Sequence, residues 1–467
     1  MKLKLILYLL CLPLFIGCNQ TDDLILSSTM PEVVSSISEE PSAQLQAIRN
    51  YIHKNHSLNT RSVEESIIPY MIENDTLLYI ANYQDGWEVF SNDLRQPMVL
   101  MKSDTGFFYP NVLKTGSPLD SFFYASAEHL QQLKKQGISD DDLIDDSWIA
   151  FGLHSPQIEY VNLNSSDEDI YDWVWVASTV GTSDTYTLTP KGGRLTTKWE
   201  QRNNFNLFTP FLSDSPSLHA AAGCIPIAFG QFFFHSNKYF NKPTQAPCKA
   251  TYNESSNTYS FSNMSADIWN DLNYGDSFIN TPLSMESTAS MIGWIGKEIG
   301  ISYEKKYDEG SGTGITEKVI SFFKSQTGLS AISLDFDNNA CQSILTKGYP
   351  VIIFLNGIGT GNHCALLDYY IRYHHECTDF YVYKKIHGDD IDIDETPDIP
   401  AEPTVDELER IFGKANVRCE HSYYNDEYYR LNWGAGGSHN DVSFAANFDI
   451  WSLSSGDKFK KNKIFSF

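Results

Sequence analysis

The sequence predicts an α+β fold in which a buried helix packs on an antiparallel sheet, preceded by a smaller α+β region. Three features predict it. An almost unbroken apolar run follows Cys224, and apolar segments at 350–355 and 365–370 fit a buried strand and its hairpin partner. Short strand-like and helical segments also alternate before residue 140. A chain of 467 residues is long enough for two or three domains.

The composition indicates a folded, acidic protein. Hydrophobic residues make up 42% of the chain and aromatic residues 13%, which argues against disorder. The formal net charge is −25. Because nucleic acids and anionic membrane surfaces repel such a charge, we expect neither as a partner.

The first 18 residues resemble the signal peptide of a bacterial lipoprotein. Two lysines in the first four residues precede an apolar segment at 5–16 that is too short to span a bilayer. It ends in Gly17-Cys18, the kind of pair at which such signals are cleaved and the cysteine is lipidated. The alternative is an ordinary secretory signal with an incidental cysteine. Both predict export, and a lipid on Cys18 would be the only membrane contact. The acidic residues that follow resemble surface-export signals of some Gram-negative lipoproteins, which points to the outer membrane or the cell surface.

The sequence before the buried helix predicts a linker followed by a small domain. Residues 19–45 are rich in Ser, Thr and Glu and predict a solvated linker. Residues 46–185 predict an α+β domain, bounded by the Ser- and Thr-rich stretch at 178–189. Within this region we expect helices at 41–56 and 125–136 and strands at 76–82, 87–90 and 98–101.

Residues 186–467 contain the predicted buried helix and the candidate catalytic residues. Cys224 precedes Pro226 and an apolar run to Phe234, which predicts a buried helix that begins near Cys224. At a helix N-terminus we expect the dipole to lower the thiol pKa. The alternative is an inert buried cysteine. Further helices are predicted at 284–301 and 316–325.

A nucleophilic cysteine needs a base, a group that orients the base and donors for an oxyanion. His363 follows a loop and begins a predicted strand, Asn432 ends another strand before a glycine-rich turn, and Gln201 offers a side-chain N–H. Taken alone, the histidine has the alternative of a core or surface residue and the asparagine that of a hairpin end, and Gln201 is a weak signal.

Taken together, these segments resemble the streptopain family of papain-like cysteine peptidases. The similar motifs, in order, are Trp199-Glu-Gln201, Asn206-Leu-Phe-Thr-Pro210, His219-Ala-Ala-Ala-Gly-Cys224 through Gln231, Gly361-Asn-His363 through Asp368-Tyr369, and Asn432-Trp-Gly-Ala-Gly-Gly437. The resemblance covers roughly residues 190–467. More loosely, the strands before residue 101 look like the propeptide or inhibitor-like domain that precedes such peptidases.

The resemblance implies a papain-like fold and a role for each of five residues. Cys224 would be the nucleophile, His363 the base and later the acid, and Asn432 the group that orients the imidazole. Gln201 would complete the oxyanion hole with the backbone N–H of Cys224, and Trp433 would cover the Asn–His contact. The implied reaction is hydrolysis of a protein or peptide through a thioester, with no metal or cofactor required. The N-terminal domain would then be an intramolecular inhibitor of a zymogen.

Some residues depart from the family pattern. Pro226 leaves open where the helix starts, Cys364 beside His363 is unusual and offers an adventitious disulfide, and Ala435 replaces a Trp. Asn432 follows His363 by 69 residues, mostly because of an acidic insertion at about 372–421 that we expect near the cleft rim. The insertion lacks the Gly and the closing Glu of an EF-hand, so a solvated segment is favoured over a calcium loop.

Two other functions are alternatives to a cysteine peptidase. One is a catalytically inactive surface lipoprotein that binds protein on the same scaffold, against which the complete set of catalytic residues argues. The other is a zinc hydrolase that uses His363, His374, His375 and Cys377; adjacent histidines on a strand point to opposite faces, which disfavours it. Six cysteines follow Cys18, and a free Cys224 leaves five, so a dense disulfide framework is not expected.

Overall fold

The structure is a computed structural model that describes residues 42–56, 67–83, 86–110, 118–137, 144–151, 170–272, 282–307, 310–355, 362–386, 404–436, 440–448 and 463–466. Residues 43–467 form one compact unit, and every element named below lies in it. The predicted signal peptide, the predicted lipid attachment site Cys18 and most of the predicted linker lie outside the described residues.

Among the described residues, the N-terminal region contains three helices and four strands. They are α1 (Ala43–Asn55), β1 (Ile67–Ile72), β2 (Asp75–Tyr83), β3 (Gly86–Ser91), β4 (Val99–Ser103), α2 (Pro118–Gln136) and α3 (Asp146–Ile149). The sequence predicted α1, α2 and β2 to β4, with α2 shorter at its start, and missed β1. β1 carries Pro69 and pairs on one side only, at the edge of the sheet, where a residue without an N–H is tolerated.

The rest of the described chain contains six helices and nine strands. They are β5 (Ile170–Leu188), α4 (Cys224–Phe240), β6 (Ala246–Asn253), β7 (Thr258–Ser265), α5 (Ile268–Asp271), α6 (Pro282–Ile299), α7 (Glu317–Thr327), β8 (Ile332–Asp335), α8 (Asn338–Thr346), β9 (Val351–Leu355), β10 (His363–Ile386), α9 (Val405–Phe412), β11 (Val417–Asn432), β12 (Ser443–Ala445) and β13 (Lys463–Ser466). Thr316 caps α7 through its hydroxyl, and Gly328 ends that helix in the left-handed conformation.

Eleven of the described strands form one antiparallel sheet, in the order β1-β2-β3-β4-β12-β11-β10-β9-β13-β8, with β5 along the later part of β10. β9 and β10 pair from Val351 with Leu367 to Leu355 with His363, as the two apolar segments predicted. α4 packs against β9 and β10. The predicted α+β fold, with a buried helix on an antiparallel sheet, is confirmed.

The sheet buries both of its faces, and successive residues of β9 alternate between them. Val351, Ile353 and Leu355 join the core that includes the N-terminal helices and strands. Ile352 and Phe354 join the core that includes α4, α6 and α7. A continuous apolar strand is expected when both faces of a sheet are covered.

One sheet connects the predicted N-terminal domain with the predicted peptidase domain. β4 pairs with β12 through Lys102 with Ser443 and Met101 with Phe444. The Ser- and Thr-rich boundary stretch lies mostly in β5, where its β-branched threonines fit an extended strand paired with β10. The division at residue 185 stays a prediction.

The predicted acidic insertion is more ordered than expected at its flanks. Residues 372–386 belong to β10 and residues 417–421 to β11; residues 372–382 pair with 417–427, and β5 flanks β10 on its other side. α9 begins with a reciprocal Thr404–Glu407 capping box and buries Leu408 in a small cluster with Phe380. Residues 387–403, which hold the acidic stretch itself, lie outside the described residues.

Candidate active site

Cys224 is the first residue of α4. Gly223 caps the helix with a φ of 88°, and Pro226 occupies the first turn, where a residue without an N–H leaves no helical hydrogen bond unmade. The helix is buried from Ile225 to Ser236. α4 therefore holds the Cys224 side chain on a rigid element, and Pro226 does not displace the helix start.

The segment that carries Gln201 is held against α4 at two points. A Cβ on Gly230 would lie 2.9 Å from the Trp199 ring, so this glycine permits a close approach that a side chain would block. The backbone N–H of Ala222 donates to the carbonyl oxygen of Gln201 over 2.8 Å. Gln201 therefore lies beside the chain that leads directly into Cys224.

The glycine-rich turn contacts both of these segments. An isolated bridge pairs Ala435 with Glu200, the neighbour of Gln201. Gly434 has a φ of 64°, and a Cβ there would lie 2.8 Å from the Ile227 side chain of α4. Both the left-handed backbone and the close approach explain why a glycine occupies this position.

His363 is the first residue of β10, and its neighbour Cys364 interacts electrostatically with the Cys224 thiol. The backbone N–H of Cys364 is one of the groups that act to lower the pKa of the Cys224 thiol. The ring Nε2 of His363 lies 2.9 Å from the carbonyl oxygen of Trp433. Because a carbonyl oxygen only accepts hydrogen bonds, this contact places the proton on Nε2 and leaves the lone pair on Nδ1.

Trp433 is buried behind the imidazole. The centroids of the His363 and Trp433 rings are 5.8 Å apart. Phe444 packs edge-on against the same indole, at 5.6 Å between centroids. The structure thus brings together Cys224, His363, Trp433 and the backbone of Gln201.

Asn432 lies next to this group, but its side chain makes other contacts. Its amide nitrogen donates to the carbonyl oxygen of Thr197 over 2.8 Å, and its amide oxygen accepts from the backbone N–H of Gly434 over 3.1 Å. The ring nitrogen of His363 has the Trp433 carbonyl as its partner. The Asn432 side chain therefore orders the turn that presents this carbonyl, and its direct contact with the imidazole stays a prediction.

The environment of the site favours a neutral thiol and a neutral imidazole. Burial raises the pKa of the Cys224 thiol, against the opposing backbone N–H groups of Cys364, Cys224 and Ile225. Burial lowers the pKa of the His363 imidazole, and its hydrogen bond to Trp433 opposes this shift. The N–H groups at the helix N-terminus act to lower the thiol pKa, as predicted, but desolvation of the sulfur outweighs them and the net shift is upward.

One buried carboxylate near the site belongs to a recognised motif but had no role assigned from the sequence. Asp368 is fully buried at a register shift of β10; it accepts from the backbone N–H of Leu195 over 2.8 Å and lies 3.4 Å from the Arg194 guanidinium. Burial raises its pKa to about 6 although both contacts oppose the shift. Asp368 thereby anchors the chain that leads into the Gln201 segment.

The six cysteines after Cys18 are all free thiols in the structure, including Cys364 beside His363. Within the described ranges, no group of three or more His, Cys, Asp or Glu side chains is arranged to hold a metal ion. His374 and His375 instead contact Asn425 and Asp426 of β11. None of the described helices is both long and apolar enough to cross a membrane.

Part of the chain matches the model of a known protein family. Residues 199–383 match the model of the Peptidase C10 family. This is the streptopain family, so the resemblance inferred from the motifs is confirmed. No curated protein matches the chain.

Two solved structures from Prevotella intermedia are similar to the chain. A prointerpain A fragment is 15% identical, with a TM-score of 0.50, over 86% of this chain and 98% of that one. Active wild-type interpain A cysteine protease is 17% identical, with a TM-score of 0.35, over 60% and 94%. The fold is that of a papain-like cysteine peptidase, as predicted.

Proposed function

We propose that the chain is a cysteine endopeptidase that hydrolyses proteins or peptides bound in extended form. The observation that carries the proposal is the position of Cys224. Cys224 is the first residue of a buried helix, its thiol interacts electrostatically with the residue after His363, and it belongs to a stretch that matches the Peptidase C10 family.

The proposed reaction begins with proton transfer from the Cys224 thiol to Nδ1 of His363. The thiolate attacks the scissile carbonyl carbon, and the oxyanion is stabilised by the backbone N–H of Cys224 and the side-chain amide of Gln201. The tetrahedral intermediate collapses to a thioester as His363 returns the proton to the leaving amine. Water, deprotonated by His363, then hydrolyses the thioester and regenerates the thiol. The Trp433 carbonyl and the turn ordered by Asn432 orient the imidazole throughout.

We propose further that the full chain is a zymogen. A thiol whose pKa is raised and an imidazole whose pKa is lowered form a weakly reactive pair at neutral pH. The N-terminal region, residues 46–185, would keep the site in this state, and its cleavage would release the activity. The likeness to a prointerpain fragment over most of the chain supports this reading at the level of the fold.

We also propose that the protein is exported and anchored through a lipid on Cys18. The basic and apolar segments before Gly17-Cys18 support this proposal. Incorporation of labelled palmitate in a Gram-negative host, lost in Cys18→Ser, is the expected result. Equal labelling of the variant would exclude lipidation at this residue.

The test of the peptidase proposal uses protein without residues 1–18, reduced, and incubated with an epoxide inactivator before and after limited proteolysis. We expect a mass adduct at Cys224 that is absent in Cys224→Ala and at least about 100-fold slower to form in His363→Ala. Iodoacetamide labelling of Cys248, which is exposed, gives the reactivity of an ordinary thiol in the same sample.

The pH dependence of labelling tests the zymogen. In the uncut chain we expect the rate at Cys224 to keep rising above about pH 8.5, the ordinary range of a thiol, because burial raises this pKa. After cleavage the rate at pH 7 should rise. Equal rates before and after cleavage would exclude the zymogen alone. No adduct in either form would exclude the peptidase and favour a catalytically inactive binding protein on the same scaffold.

A further inference from the structure

A second buried carboxylate, Glu304, lies behind the site in the loop that follows α6. Its side chain has no exposed surface. One oxygen accepts from the backbone N–H of Ala221 over 2.7 Å and lies 2.8 Å from the Arg202 guanidinium. The other oxygen accepts from the backbone N–H of Gly310 over 3.0 Å. Both oxygens of a fully desolvated anion are therefore satisfied.

The three partners of Glu304 belong to three segments around the thiol. Ala221 stands three residues before Cys224, Arg202 is the neighbour of Gln201, and Gly310 belongs to the loop that closes over Gly223. The carbonyl oxygen of Ser311 in that loop lies 3.3 Å from where a Gly223 Cβ would stand. A single side chain thus joins the segments that carry both proposed oxyanion donors.

The guanidinium of Arg202 balances the negative charge of the Glu304 carboxylate. The guanidinium of Arg202 lies over the Tyr307 ring, 4.3 Å from its centroid, and retains some exposure to solvent. Without it, the Glu304 carboxylate would be an unpaired buried anion close to where the oxyanion develops. In a low-dielectric site such a charge opposes the formation of a second negative charge.

We propose that Glu304, paired with Arg202, is a positioning residue for the hydrolysis: it fixes the Ala221–Gln201 spacing at which the Cys224 N–H and the Gln201 amide converge on the oxyanion. The proposal rests on the proposed peptidase function. It predicts an effect on the chemical step rather than on substrate binding.

The experiment compares Glu304→Gln, Arg202→Met and Arg202→Lys with the wild type. The substrate is a fluorogenic peptide that the wild type cleaves, and kcat is expressed per Cys224 titrated by the epoxide. Gln has the size of Glu but sets an amide N–H against one of the N–H donors. We expect kcat to fall about 10- to 100-fold in Glu304→Gln and in Arg202→Met, with KM changed less than about threefold. Arg202→Lys restores the cation and should recover most of kcat.

Arg95→Met is the matched control, because Arg95 makes a comparable ion pair with Asp93 at 2.6 Å in the N-terminal region. It should change thermal stability without changing kcat per titrated site. If kcat per titrated site is unchanged in Arg202→Met, the proposal is wrong, whether or not Glu304→Gln folds. A wild type that neither hydrolyses nor labels would instead remove the peptidase function on which the proposal rests.

Discussion

On one face of the central sheet, Val351 and Ile353 pack toward the N-terminal helices and strands; on the other, Ile352 and Phe354 pack toward α4. Both cores are rich in buried aromatic residues, yet Cys224 is associated only with the second. The close approaches also differ. On the α4 side, glycines admit Trp199 and Ile227 to contact distances that a methyl group would prevent. We infer that packing precision on this face sets the position of Cys224, whereas the other face contributes stability and, of the site residues, holds Trp433.

The largest effect is expected from replacing two buried phenylalanines, one on each face of the sheet. The pair should distinguish a loss of stability from a loss of catalysis. Phe123 and Phe229 are both fully buried. Phe123 packs on Tyr70 and Phe108. Phe229 lies in α4 and packs on Phe323 and Phe465. Each change to Ala should lower the free energy of unfolding by about 3–5 kcal/mol, measured by urea titration. Only Phe229→Ala should also lower kcat per titrated Cys224. Equal kcat losses in the two variants would contradict the division between the faces.

A somewhat smaller effect concerns the pH dependence of stability through Asp368. The unfolded carboxyl loses its proton near pH 4, but the folded one does so at a pKa of about 6. Folding therefore favours the protonated form, and this contribution is present below pH 4 and lost as the pH rises toward 6. The expected loss is about 3 kcal/mol over this window. Asp368→Asn should remove that part of the pH dependence in urea titrations at pH 4 to 7. The same slope in wild type and variant would assign it to other groups.

The third prediction tests the close approach of the Gln201 segment to α4. In Gly230→Ala the added methyl group would meet the Trp199 ring at 2.9 Å and displace the segment that carries Gln201. A misplacement of about 1 Å in catalytic geometry costs roughly 100-fold, so we expect a loss of this order in kcat/KM. Gly181→Ala in β5, where a Cβ meets nothing within 4 Å, is the control. Full activity in Gly230→Ala would show that the site tolerates a shifted segment.

The sequence predicted those features of the fold that short-range sequence patterns determine. The apolar run after Cys224 predicted α4, and the two apolar segments around His363 predicted β9 and the start of β10. The family resemblance of the ordered motifs also predicted which segments meet at the site. These features depend on residues close together in the chain or on a motif with a fixed order.

Other features depend on contacts between distant residues, and the sequence did not reveal them. Glu304 belongs to no motif, and its partners Ala221 and Arg202 lie 83 and about 100 residues away. Burial raises the pKa of the Cys224 thiol and outweighs three backbone N–H groups that lower it. An argument from the helix dipole alone therefore does not give the direction of the net shift. The extension of β10 and β11 through the flanks of the acidic insertion depends on β5, which is distant in sequence.

The pairing of β4 with β12 has a consequence for maturation. A single cut between α3 and β5 would break one peptide bond but none of the hydrogen bonds that join these strands. The two pieces would then stay together as a nicked complex, with Phe444 still covered and β12 still paired. Stripping off the N-terminal piece would leave a short open edge next to an apolar surface, a combination that promotes aggregation. Two bands after denaturation and one particle in native chromatography would be the signature of the cleaved protein.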